Sequence, residues 1–160
     1  MNDPLATYLH DHMAGSNFAV DLLESLRDEH SGEPLGQFAA ALLIEIEKDR
    51  AVLQRIIDRV GKGSANLKQA AAWLGEKVSR FKLSRGAAGE FGTFEALETL
   101  ALGILGKLSL WEALAVVADT EDRVRDVNFE ELIARAHEQH ARVEENRLRY
   151  ARTTLVTRSE

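Results

Sequence analysis

Residues 3–34, DPLATYLHDHMAGSNFAVDLLESLRDEHSGEP, decide how this chain folds. Asp3-Pro4 is a helix start: an acceptor side chain followed by a proline whose missing N–H costs nothing in the first turn. From there Leu5, Tyr8, Leu9, Ala19, Leu22, Leu23 and Leu26 recur at helical spacing and mark one apolar face, so a helix is expected to about Glu29. His30-Ser31-Gly32-Glu33-Pro34 then stops one helix and opens another, with Gly32 in the left-handed region and Pro34 in the next first turn. So short a link makes the two helices antiparallel neighbours.

Working outward, the second helix runs from Pro34 to Val60 and stops at Gly61. Leu67, Ala70, Ala71, Leu74, Val78 and Phe81 predict a shorter helix over about 65–81. A loop holding Gly86, Gly89 and Gly92 should follow, then a third long helix over about 93–118. Asn128 with Glu131 has the pattern of a capping box, with Val127 and Leu132 as the staple, and opens a fourth long helix that reaches about Thr154. No strand pattern or internal repeat interrupts this order. The expectation is one all-α domain spanning 1–160: two long helices, a connection of roughly thirty residues, and two more.

Composition narrows the function classes. The net charge of -6 and the absence of dense Lys/Arg runs argue against a nucleic-acid groove. With no cysteine there is no disulfide, thiolate metal site or cysteine nucleophile. The start, MNDPLATYLHDHMAG, is not that of a secretory signal, so a cytoplasmic location is expected. Thr99 to Ala118 has roughly the length of a bilayer span, but Lys107 and Glu112 interrupt it. It reads as a buried helix of a soluble bundle, and no membrane partner is expected. Gly61-Lys62-Gly63-Ser64 has the residue types of a phosphate loop without its spacing or a preceding strand, and reads as a helix stop.

The informative residues are polar ones on apolar arcs. On the first helix His12 lies at the centre of the buried face, with Ser16 beside it, and His10 points away. On the second, Asp49 sits near mid-arc and Glu45 about 40° to one side. On the fourth, His140, Glu144 and Arg147 fall inside the arc marked by Phe129, Leu132, Ile133, Ala136, Val143 and Ala151, and His137 lies at its edge. The third helix turns Leu97, Leu100, Ala101, Ile104, Leu108, Trp111 and Ala115 inward, with no ionisable residue among them. Its other side carries the small residues Ala96, Thr99, Gly103, Gly106 and Ala113, which suit close approach of a helix, either the crossover segment or a second subunit. Trp73 and Trp111 read as core or interface anchors.

Through YLHDHMAGSNFAVDLLESLRDEH, LLIEIEKDRAVLQRI, FEALETLALGILGKL and HEQHARVEENRL, the chain resembles the ferritin-like superfamily, and within it a group of uncharacterised bacterial ferritin-like proteins. The resemblance implies a ferritin-like four-helix bundle whose long crossover between the second and third long helices carries the extra short helix. Metal-bearing members place an inward Glu on each of two helices and Glu-x-x-His on each of the other two, gripping two iron or manganese ions. Here the Glu45-x-x motif ends in Lys48 and the Glu144-x-x motif in Arg147. His12 and Ser16 stand where the first helix would offer a Glu, and the third helix offers none.

Two readings of the inward set follow. In one, His12, Glu45, Asp49, His140 and Glu144 form a buried polar network with Arg147 as the ion-pair partner of Asp49 or Glu144, no cofactor is held and there is no catalysis. Loss of Arg147 would then strand a buried carboxylate. In the other, those five side chains hold Fe, Mn or Zn in a reduced site of an oxidase or storage protein. A third possibility is a small-ligand pocket between helices near Trp111. A homo-oligomer, most simply a dimer joined through apolar helix faces, is the expected partner state.

Overall fold

The computed structural model describes residues 3–61 and 67–157, and the side chains of all of these except 67–88. The described chain is all-helical, with four helices, α1 (Pro4–Glu29), α2 (Pro34–Val60), α3 (Leu67–Val117) and α4 (Phe129–Thr154), and one 3-10 turn at Asp122–Val124. The expectations for Lys62 to Ser64 and for the Trp73 side chain lie outside the described residues.

The punctuation works as local chemistry requires. Asp3 accepts from the Leu5 and Ala6 N–H groups, and Asn128 accepts from the Glu131 N–H at 3.1 Å. Gly32 takes φ 81° in the turn between α1 and α2. Four residues later Gly36 lets α2 touch the end of α1: a Cβ there would lie 2.1 Å from the His30 carbonyl oxygen.

The expected loop around Gly86, Gly89 and Gly92 is corrected to a single break. Helix continues on both sides of Gly89, which alone takes non-helical angles (φ 53°, ψ -130°). One residue in a region that side chains avoid is enough to kink the helix, so the expected separate helices over 65–81 and 93–118 become two arms of α3. The second arm ends at Val117.

Two apolar clusters show how the helices run. One joins Leu22, Leu23 and Leu26 of α1, Leu35 and Ala39 of α2, Ala96, Leu97 and Leu100 of α3, and Val143 of α4. The other joins Leu9, Ile56, Leu114, Phe129 and Leu132. The end of α1, the start of α2 and the start of the second α3 arm therefore share one end of the bundle. It follows that α2 and that arm run the same way, while α1 and α4 run opposite to them.

The stretch Gly89–Val117 is long and apolar enough to cross a membrane by length and composition, with 39% of its most apolar window buried in the bundle. Its outer face leaves Leu102 and Val116 well exposed.

Candidate functional site

Between the two apolar clusters lies a polar waist. Asp49 is flanked on α2 by Ile46 of one cluster and Leu53 of the other, Lys107 on α3 by Ile104 and Leu108, and Gln139 on α4 by Ala136 and Val143. Each of the three helices thus interrupts its apolar stripe at the same depth.

Asp49 is 3% exposed. Its Oδ1 accepts from Arg135 Nε at 2.9 Å and lies 2.7 Å from the second Arg135 nitrogen. Its Oδ2 accepts from Lys107 Nζ at 2.6 Å and from Gln139 Nε2 at 3.2 Å. These four contacts match the four lone-pair positions of a carboxylate. Gln139, with no exposed surface, is oriented by both charges around it. Its Oε1 accepts from the Lys107 ammonium, and its Nε2 donates to Asp49 and to Glu45 Oε2. Arg142 donates to the same Glu45 oxygen at 2.6 Å and closes the far side.

Electrostatics follow from this wiring. Burial pushes the Lys107 ammonium below the ordinary lysine range, and the Asp49 carboxylate only partly offsets that. Burial would raise Glu45, but hydrogen bonds from Arg142 and Gln139, with the charges of Arg142 and Lys107, outweigh it and hold the carboxyl below its usual value.

The sequence-predicted residues divide. Asp49 and Glu45 are brought together, through Gln139. His12 stays apart: it stacks edge-on to Tyr8 with ring centroids 4.6 Å apart, and burial holds its imidazole below the ordinary value against the opposing charge of Asp11. Glu144 is engaged on its own helix by Arg147, at 2.6 and 2.8 Å, and the Arg147 guanidinium lies 5.9 Å from the centroid of the Phe94 ring. The Arg147 hydrogen bonds hold Glu144 below its usual range, with a smaller contribution from His140. His140 is half-buried and makes no hydrogen bond to Asp49 or Glu45, and His137 is exposed. Among the described residues no three His, Asp or Glu side chains are grouped to hold a metal ion.

Of the two partners expected for Arg147, it takes Glu144 and not Asp49, because it sits a full two turns beyond Gln139. Two expectations are corrected. The third long helix does turn an ionisable residue inward, Lys107. His10 is not solvated: it is half-buried, and its Nε2 is shut off from solvent with no hydrogen-bond partner among the described residues. Lys107, Arg135, Gln139 and Arg142 escaped a reading based on apolar arcs, since long side chains reach a core from the edge of an arc. The available signal was Lys107, the one cation in an otherwise apolar run from Thr99 to Trp111. A di-metal centre does not fit these residues, because every acceptor position of the best-buried carboxylate faces a cation or an amide. No family model matches the chain, and neither does any curated protein or solved structure.

Proposed function

We propose that this chain is a non-catalytic, cytoplasmic ferritin-like bundle protein that carries a structural ionic network where metal-bearing members of that superfamily hold their ions. The observation that carries the reading is the saturation of Asp49 by Lys107, Arg135 and Gln139. A metal would have to displace an ammonium and a guanidinium from a nearly dry site, leaving both cations unpaired at high cost. The shared direction of α2 and the second α3 arm supports the ferritin-like topology, since it calls for a long crossover. The protein then works by association, and the exposed Leu102, Leu105 and Val116 on the outer face of α3 support a homodimer.

Protein purified without chelator and reconstituted with iron, manganese or zinc should retain less than about a tenth of an equivalent by elemental analysis, as expected where ligands are already engaged. A stoichiometric metal that survives gel filtration would overturn the reading. Light scattering at rising concentration tests the dimer separately.

A further inference from the structure

A cleft of about 490 Å³ opens between α1, α2 and the second arm of α3, within the range of about 300–1,000 Å³ typical of small-molecule sites. We infer that it is a binding site for a small amphipathic carboxylate, with the acidic head toward Arg50 and Lys107 and the apolar body along Phe18, Leu102 and Leu110. This goes beyond the association proposed above.

Three observations converge. First, Gly15, Gly103 and Gly106 all line the cleft, and a Cβ on any of them would meet nothing within 4 Å among the described residues. All three sit inside helices with no positive φ, so neither backbone geometry nor contact with the described residues calls for glycine there. Helical glycine weakens a helix relative to alanine; what these three have in common is the space they leave open. Second, the walls are mainly apolar, with the cations Arg50 and Lys107 among the lining residues. Arg50 donates to Asn17 at 3.2 Å and has no carboxylate within ion-pair distance among the described residues. Lys107 gives two of its three N–H bonds to Asp49 and Gln139, leaving one. Third, the acidic groups at the cleft are accounted for: Asp49 is saturated by its own partners, and Asp11 stands exposed. His12, whose imidazole burial holds below its ordinary value, also lines the cleft. An anionic head meets two donors with spare capacity, and an apolar chain meets a wall that water wets poorly.

The test uses the full chain carrying Trp73→Phe, so that Trp111, which lines the cleft, is the sole reporter. Decanoate, kept below its micelle-forming concentration, should change Trp111 emission saturably and raise the melting temperature. The neutral 1-decanol should bind about tenfold or more weakly, the scale of a lost charge-assisted hydrogen bond. Gly106→Leu and, as a second filler, Gly103→Leu should each weaken decanoate by about tenfold or more. Arg50→Gln should weaken decanoate and leave decanol unchanged. Absence of saturation, or unchanged binding in both leucine variants with native-like melting, would overturn the site. Equal affinity for decanoate and decanol would overturn the assignment of an acidic ligand.

Discussion

Lys107 and Arg147 each pair with a carboxylate through short contacts, yet their surroundings give them different weight. Asp49 is 3% exposed and the Lys107 side chain 15%, whereas the Arg147 and Glu144 side chains keep 22% and 27%. A buried carboxylate that loses a cation cannot recover its hydration, while a half-open one can. Lys107→Met should therefore cost about 3 kcal/mol, the lower end for a broken buried pair because Arg135 and Gln139 remain. Arg147→Met should cost less than about 1 kcal/mol. Urea unfolding followed by tryptophan emission at pH 7 separates the two, and the reverse order would show that the waist is wetter than its geometry implies. Asp49 was legible in the sequence, because a short acid on an apolar arc must be buried with its Cα. Lys107 and Arg135 were not, because a long side chain can start outside the arc and end inside it.

His12 adds a pH dependence of definite sign. Burial holds its imidazole below 6.5, the opposing charge of Asp11 notwithstanding, so folding disfavours the protonated ring. The stability it contributes is complete above the unfolded value near 6.5 and is lost as pH falls through the lower folded value. Urea midpoints should thus decline between pH 7 and pH 5, and His12→Gln should flatten that decline. Glu45 acts at lower pH in the same sense: its folded value lies below the ordinary one, so its contribution is present above about 4.3 and fades with further acid.

Helix ends were the most legible elements, since caps and prolines act through atoms only a few residues away. Asp3, Asn128 and the Gly32–Pro34 turn behave in the structure as their chemistry dictates. The connection between α2 and the second α3 arm was less legible. Gly86, Gly89 and Gly92 look alike in sequence, and only tertiary packing decides which one breaks the helix. That difference is measurable. Gly89→Ala forces a side chain to φ 53° and should destabilise by about 1–2 kcal/mol. Gly36→Ala should also destabilise, as its Cβ collides with the His30 carbonyl. Gly103→Ala meets open space inside a regular helix and should stabilise by about 0.5–1 kcal/mol. Thermal melts of the three variants side by side check the signs. A stabilised Gly89→Ala would mean that the kink in α3 does not depend on that residue's backbone angles.

At the scale of the whole molecule, the two apolar clusters and the waist between them have separable tasks. Aliphatic packing drives helices together but tolerates a slip of one turn, because leucine meets leucine again one turn later. The waist tolerates no such slip: Gln139 must reach Lys107, Asp49 and Glu45 at once, which fixes α4 against both α2 and α3. If register is its role, replacing the buried set together with Asp49→Leu, Lys107→Met, Arg135→Met and Gln139→Leu should leave stability unchanged or raise it by about 1–4 kcal/mol. Asp49→Leu alone should cost about 3–5 kcal/mol, since two cations then lack their carboxylate. The quadruple variant should give a broadened amide spectrum, as alternative registers of α4 come close in energy. A quadruple variant as unstable as Asp49→Leu would show that the apolar clusters do not support the bundle without the waist. One that is both more stable and sharply dispersed would show that register is set elsewhere, by Gly36 and the caps.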